Sequence, residues 1–154
     1  MAPASVWFTK QLPKEKWIEL IQKNQAKDNN IIIFLIGGKE DIPLCDKIIS
    51  SAKVTNIKNL AGKLTFLQSA ALMKNAAMNY VNDSAPMHMA SAMNAPVTAF
   101  YCSTVPAFGF TPLSDIKFIV ETSENLDCRP CGLHGFHQCP EGHFRCATSI
   151  AIKV

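Results

Sequence analysis

A chain of 154 residues has the length of about one domain, and a 48% share of apolar residues is enough to form a buried core. Charged residues make up only 18% of the sequence and the net charge is +3, with the lysines scattered, so the concentrated basic surface of a nucleic-acid-binding protein is absent. The longest apolar run, residues 31–36, is far shorter than the roughly 18 to 20 residues of a membrane span, and the pattern of an export signal is missing, so we expect a cytoplasmic protein.

Short apolar runs alternate with amphipathic segments along the chain. Apolar residues at helical spacing predict a first helix over residues 13–25, with Pro13 in its first turn. The β-branched run 31–36, closed by Gly37 and Gly38, predicts a central parallel strand that is covered on both faces. The remaining helices are predicted at residues 43–51, 65–76 and 85–93, and the remaining strands at residues 55–59, 78–81, 97–101 and 118–121.

Strands that alternate with helices require right-handed crossovers, which place helices on both faces of a parallel sheet. The sequence therefore predicts an open, doubly wound, Rossmann-like α/β fold, with Trp7 and Trp17 in its core. The composition changes at Leu126, after which Cys, His and Gly are frequent. We expect an α/β domain over residues 1–125 and a Cys- and His-rich tail over residues 126–154 that packs on the same domain.

Ligands of such sheets bind beyond the carboxyl ends of the strands, so the strand-to-helix junctions are the candidate sites. Gly37 and Gly38 follow the strongest strand and allow the backbone to approach a ligand closely. Glu40 and Asp41 come next, and their carboxylates can accept hydrogen bonds from sugar hydroxyls. An ordinary tight turn would explain the two glycines equally well.

A second junction, residues 82–88, follows a strand and begins a helix. Asp83 or Ser84 is placed to cap this helix, with Pro86 in its first turn, and capping alone would explain both polar residues. It does not explain His88, whose ring can lie beside the N–H groups that favour a bound phosphate. This junction is predicted to bind an anion, and the hydroxyls of residues 101–104 are a weaker indication at the same edge.

These segments resemble family 9 glycosyltransferases, the ADP-heptose:lipopolysaccharide heptosyltransferases. The strongest match is Asn-Asp-Ser-Ala-Pro-Met-His at residues 82–88, and the order and spacing of the other segments also follow the family. Those other segments are residues 3–13, 36–41, 59–63 and 95–97. The resemblance implies the C-terminal half of a two-domain enzyme of the GT-B arrangement, which is the half that binds the nucleotide sugar.

The resemblance also implies roles for residues at the first two matching segments. Ser5 and Lys10 would contact the diphosphate of the nucleotide sugar, and Glu40 or Asp41 would hold its ribose. Ala4 stands where the family more often has glycine, but it is small enough for close approach.

At the third segment, Ser84 and Ala85 would offer backbone N–H groups to the phosphates. Asp83 would bind sugar hydroxyls, and His88 would lie against the phosphate. Ala85 is again a small residue in place of the commoner glycine.

The activity implied by the resemblance is inverting transfer of a heptose from ADP-heptose, or a related nucleotide sugar, to an inner-core sugar of lipopolysaccharide. The catalytic base would lie in an N-terminal domain that also receives the acceptor, so we expect the chain to be an inactive fragment with no catalytic residue of its own. No metal or cofactor is expected, because a lysine and helix N–H groups can stabilise a departing diphosphate. Because the implied acceptor is lipopolysaccharide, the protein could also contact the inner face of the cytoplasmic membrane peripherally.

The alternative function is a non-catalytic module of the same fold that binds a nucleotide or a sugar nucleotide. The presence of Lys10, Asp83 and His88 together favours the enzyme, because a degenerate module is expected to have lost at least one of them.

The tail contains two pairs of cysteines, Cys128 with Cys131 and Cys139 with Cys146. Four thiolates can bind one structural Zn²⁺, with His137 or His143 as a substitute ligand. The spacing of the second pair is wider than in ordinary zinc ribbons, and packed reduced thiols or disulfides are the other interpretations. The predicted site includes no metal.

Overall fold

The computed structural model describes residues 1–154 and consists of alternating helices and parallel strands. The helices are α1 (Lys14–Lys27), α2 (Ile42–Ala52), α3 (Phe66–Lys74), α4 (Ala85–Ala92) and α5 (Arg145–Thr148). The strands are β1 (Ile33–Leu35), β2 (Ile57–Asn59), β3 (Asn79–Asn82), β4 (Val97–Tyr101) and β5 (Lys117–Glu121). Every predicted helix and strand is present with ends that differ by a few residues, while α5 was not predicted. None of the helices combines the length and the apolar character needed to cross a membrane.

The strands form two parallel groups, and the first residues of the chain join them. β1 pairs with β2, and β4 lies between β3 and β5. The N–H of Ile36 donates to the carbonyl of Met1 (2.9 Å), and the N–H of Ala2 donates to the carbonyl of Tyr80 (2.9 Å). Residues 1–2 therefore lie between β1 and β3. β1 is covered on both edges, as predicted for an interior strand, although one neighbour is this short segment and not a full strand.

Helices cover both faces of the sheet, which confirms the predicted doubly wound fold. On one face Trp17 of α1 is fully buried and packs edge-to-face against Phe100 of β4, with ring centroids 5.5 Å apart. On the other face Met87 of α4 packs in a second apolar cluster with Tyr101 of β4. Trp7 is only half-buried, because it lies in the segment before α1 with its ring against His137 (4.7 Å), so its assignment to the core was wrong.

Candidate functional site

A cleft of about 1000 Å³ opens at the carboxyl ends of β1 and β3. Four segments line it: the N-terminal segment of the chain and three segments that follow β1, β2 and β3. They are residues 2–6, residues 36–41, residues 62–69 and residues 84–89. Three of these segments contain residues predicted from the sequence to bind a ligand. The first contains Ser5, the second contains Glu40 and Asp41, and the fourth contains Ser84 and Ala85.

The glycines after β1 allow two carboxylates to fold back over the backbone. The N–H of Gly38 donates to Oδ2 of Asp41 (2.7 Å). A Cβ added at Gly37 would lie 2.6 Å from this oxygen, and one at Gly38 would lie 2.5 Å from Oε1 of Glu40. At Gly37 the added Cβ would also lie 2.8 Å from Cβ of Asp41, so a side chain there would displace Asp41, whereas at Gly38 the exposed side chain of Glu40 could move aside.

Glu40 and Asp41 have different surroundings within this loop. Asp41 is half-buried and holds the loop through its bond to Gly38. Glu40 is exposed on the cleft and makes no hydrogen bond or ion pair with the protein. Its carboxylate is therefore available to accept hydrogen bonds from a ligand, whereas one oxygen of Asp41 is already engaged.

One wall of the cleft was missed by sequence reasoning, namely the start of α3 with Leu64, Thr65, Phe66 and Ser69. Thr65 caps α3, since its hydroxyl accepts from the N–H of Gln68 (3.3 Å) while its own N–H donates to that side chain (2.9 Å). This Thr-x-x-Gln capping box was visible in the sequence. Because the predicted helix follows the predicted strand at residues 55–59, its start was expected at the carboxyl edge of the sheet, but no residue there was selected as a ligand contact.

The N-terminal end of α4 opens into the cleft through Ser84, Ala85 and Pro86. Pro86 lies in the first turn, as predicted. Ser84 occupies the cap position, but its hydroxyl donates to the carbonyl of Asn82 (3.3 Å) and makes no capping bond. The first backbone N–H groups of a helix have no intrahelical partner and carry the positive end of its dipole, so this wall favours an anion.

Lys10 and Asp83 form a buried ion pair beside the cleft. Nζ of Lys10 lies 2.7 Å from Oδ2 of Asp83, and the hydroxyl of Thr104 donates to the same oxygen (2.8 Å). Asp83 is 5% exposed. Oδ2 of Asp83 is thus engaged by both Lys10 and Thr104, and capping of α4 does not explain the residue. Neither residue of the pair lines the cleft itself.

Asn82 had no individual role in the sequence analysis, but it fixes the segment that carries Ser5 and Lys10. Its side chain is fully buried. Oδ1 accepts from the N–H of Leu12 (3.0 Å), and Nδ2 donates to the carbonyl of Pro3 (2.9 Å). The segment before α1 is therefore attached at both ends to the carboxyl end of β3. A buried amide with both donor and acceptor satisfied is well suited to this task.

His88 is separated from the other predicted residues. It is exposed on α4, and its ring lies edge-on to Phe110 with centroids 6.3 Å apart. It does not line the cleft. Its predicted contact with a phosphate remains a prediction.

The tail cysteines are all free thiols, and no three His, Cys, Asp or Glu side chains are positioned to hold a metal ion. The thiol of Cys131 donates to the carbonyl of Cys128 (3.2 Å). Burial, with the neighbouring Cys128 and Cys139, raises the pKa of the Cys131 thiol, and burial raises the pKa of Cys146 to about 11. Cys131 and Cys146 are thus packed as thiols with a raised pKa, and the zinc interpretation of the tail stays a prediction.

Comparison with known proteins identifies the family. The model of glycosyltransferase family 9 (heptosyltransferase) matches residues 1–135. Lipooligosaccharide heptosyltransferase 2 of Haemophilus influenzae is 33% identical over 96 residues, which are 60% of this chain and 27% of that protein. The structure of Escherichia coli ADP-heptose lipopolysaccharide heptosyltransferase II superposes with a TM-score of 0.71 and 26% identity, over 84% of this chain and 42% of that one.

A more distant structure has the same fold. Escherichia coli heptosyltransferase WaaC with ADP gives a TM-score of 0.61 and 19% identity, over 77% of this chain and 35% of that one. The chain thus spans less than half of the length of each of these relatives. Because the family model covers most of the chain, the chain belongs to glycosyltransferase family 9, the heptosyltransferases.

Proposed function

We propose that this chain binds a nucleotide-diphosphate sugar of the ADP-heptose class in the cleft, as the donor-binding part of a heptosyltransferase. The observation that carries the proposal is the cleft itself, which combines a helix N-terminus at Ser84 and Ala85 with a free carboxylate at Glu40. The first suits a diphosphate and the second suits the hydroxyls of a ribose. A volume of about 1000 Å³ is sufficient for a ligand of this size.

Two structures of a protein with the same fold support the choice of ligand. Escherichia coli WaaC has been solved with ADP and with ADP-2-deoxy-2-fluoro heptose. The sequence-based assignment of Ser5, Ser84 and Ala85 to the phosphates agrees with their common position on the cleft.

In the proposed complex Lys10 supplies positive charge to the diphosphate. An ammonium group has three N–H donors, and the only partner of Nζ in the free chain is Asp83. Two donors are therefore available to phosphate oxygens while Asp83 keeps the ammonium in place. Asp83 has further acceptor capacity for a sugar hydroxyl, so the pair can contact both parts of the donor at once.

The proposed reaction is inverting transfer of the heptose to a hydroxyl of the lipopolysaccharide core. The bond between the anomeric carbon and the diphosphate breaks as the acceptor oxygen bonds to that carbon, and the electron pair of the broken bond leaves with ADP. Lys10 and the N–H groups of α4 stabilise the charge on the departing diphosphate, so no metal is required in this scheme. The base that removes the proton of the acceptor hydroxyl is assigned to a part of the enzyme outside these 154 residues.

Calorimetry of the 154-residue chain tests the proposal. ADP-heptose and ADP are titrated alongside CDP and UDP at the same concentrations. We expect saturable binding of ADP-heptose that is stronger than binding of CDP or UDP, since a protein of the same fold has been solved with ADP and with an ADP-heptose analogue. Failure of ADP-heptose and ADP to bind at millimolar concentration would contradict the proposal.

A further inference from the structure

Arg129, which lies in the tail between two of its cysteines, is bonded to the loop that follows β4. Its Nε donates to the carbonyl of Cys102 (2.7 Å). Its Nη2 donates to the carbonyls of Thr104 (2.8 Å) and Tyr101 (3.2 Å) and pairs with the carboxylate of Glu121. The side chain is 11% exposed. One guanidinium therefore contacts three carbonyl groups of a four-residue segment, and because Nη2 has two N–H groups for three acceptors, its longer contact with Tyr101 shares a hydrogen.

The same loop holds the ion pair beside the cleft. The hydroxyl of Thr104 donates to Asp83, and Asp83 pairs with Lys10. Each contact in this series, from Arg129 through Thr104 and Asp83 to Lys10, is 2.8 Å or shorter. The backbone of Thr104 is held by Arg129, and its side chain holds the carboxylate.

A second part of the tail reaches the other member of the ion pair. The N–H of Phe136 donates to the hydroxyl of Thr9 (2.7 Å), and the N–H of Thr9 donates to the carbonyl of Phe136 (3.1 Å). Gly135 is so close that an added Cβ would lie 2.7 Å from Oγ1 of Thr9 and 3.2 Å from Cγ of Lys10. The tail thus contacts both the segment of Lys10 and the loop whose Thr104 holds Asp83.

We propose that Arg129 is a positioning residue of the nucleotide-sugar site, which holds Thr104 so that Asp83 and Lys10 keep the geometry needed to bind the donor. The proposal rests on the proposed function of the cleft. Arg129 does not line the cleft and acts through Thr104. This gives the tail a function that requires neither metal nor disulfide chemistry.

The first test compares Arg129→Ala with Arg145→Ala, a matched control. Arg145 is also a tail arginine in an ion pair, with Glu124 (2.7 Å), but it has no contact with residues 101–104. The dissociation constant of ADP-heptose is measured by calorimetry. Arg129→Ala is expected to raise it by about threefold to thirtyfold, the usual range for residues coupled to a site through others. Arg145→Ala is expected to leave it unchanged.

A double-mutant cycle with Thr104→Val separates positioning from general stabilisation. If Arg129 acts through the Thr104 hydroxyl, Thr104→Val alone weakens binding, and Arg129→Ala adds little in that background. If Arg129 only stabilises the fold, its substitution lowers the melting temperature and changes affinity equally in both backgrounds. The second result would overturn the proposal.

A measurement on the free chain tests the role of Arg129 without the donor. It uses a conservative substitution, which is less disruptive to folding than alanine. The carboxyl carbon-13 chemical shift of Asp83 is recorded in the free chain with Arg129→Lys, which keeps the charge, and with Arg145→Lys. We expect the first variant to move the Asp83 signal and the second to leave it in place. Failure of the wild-type chain to bind ADP-heptose contradicts the proposed function, whereas an Asp83 signal unaffected by Arg129→Lys contradicts the role of Arg129.

Discussion

Nζ of Lys10 and Oδ2 of Asp83 lie 2.7 Å apart, and the hydroxyl of Thr104 donates to the same carboxylate oxygen. Side-chain exposure is 15% for Lys10 and 7% for Asp83, so the pair is well shielded from water. Removal of one partner leaves the other charge buried without compensation, which costs more than an exposed ion pair contributes. This geometry makes Lys10 an oriented cation beside the cleft.

Lys10→Met is expected to weaken binding of ADP by about 1 to 3 kcal/mol, because a charge-assisted hydrogen bond to the diphosphate is lost. It is also expected to lower the melting temperature, because Asp83 loses its counter-ion. Lys14→Met is the matched control, since Lys14 is 46% exposed and lies 3.8 Å from Glu15. Calorimetry and thermal unfolding of both variants provide the measurements. Equal ADP affinity of Lys10→Met and wild type would contradict the role of Lys10.

The two carboxylates after Gly38 are expected to differ in function. Glu40→Ala removes a free acceptor on the cleft, so ADP affinity should fall by about 0.5 to 1.5 kcal/mol with little change in melting temperature. Asp41→Ala removes the acceptor of the Gly38 N–H and should lower the melting temperature. Titration of adenosine monophosphate against both variants isolates the nucleoside contact. If Glu40→Ala bound ADP and adenosine monophosphate as tightly as the wild type does, another residue would have to bind the ribose.

Stability is expected to fall at alkaline pH because of buried thiols. Burial, with the nearby Asp41 and Asp46 carboxylates, raises the pKa of Cys45 from its ordinary value of 9.0 to about 12. Below pH 9 the thiol is protonated in both the folded and the unfolded chain, so stability is complete. Between pH 9 and about 12 only the unfolded chain loses the proton, and the free energy of unfolding falls by up to about 1.4 kcal/mol per pH unit.

Urea unfolding at about pH 7.5, 9 and 10.5, which samples the range below the transition and its lower half, measures the effect. Cys45→Ala is expected to be less stable at neutral pH because of the lost packing, but its stability should decline less steeply above pH 9. The same alkaline slope in wild type and Cys45→Ala would show that this thiol does not titrate as described.

The sequence was sufficient to predict the fold, because its signals are local. The apolar run that contains β1 is rich in isoleucine and ends at two glycines, and Pro86 marks the start of α4. The insertion of residues 1–2 between β1 and β3 was not predictable, because two residues are too short to show a strand pattern. The division at residue 125 remains a prediction.

Only part of the candidate site could be predicted, because single residues carry local signals whereas the contacts between them depend on the tertiary structure. Lys10 and Asp83 were selected separately, but their pairing depends on the tertiary arrangement that Asn82 imposes on the segment before α1. Thr104 carried only a weak signal, since a hydroxyl after a strand is common. The contact of Arg129 with its loop could not be inferred at all, because the pattern around Arg129 drew attention to the cysteines.

The 154-residue chain is expected to bind the donor without transferring the heptose. Transfer requires an acceptor hydroxyl near the anomeric carbon and a base within hydrogen-bond distance of its proton. Asp83 is held by Lys10 and Thr104 and is a poor candidate for that base. The assay is release of ADP from ADP-heptose in the presence of a lipopolysaccharide-core acceptor. Acceptor-dependent turnover by this chain alone would show that the base lies within it.

A nuclear magnetic resonance titration of the isotope-labelled chain with ADP tests the location of the site most directly. We expect the largest amide shifts at residues 37–41 and at Ser84 and Ala85, with smaller changes along the loop of Thr104. Amides on the far side of the sheet, such as those of α1, should not move. Saturating ADP that leaves the amides of residues 37–41 and 84–85 unperturbed would contradict the assignment of this cleft to the nucleotide sugar.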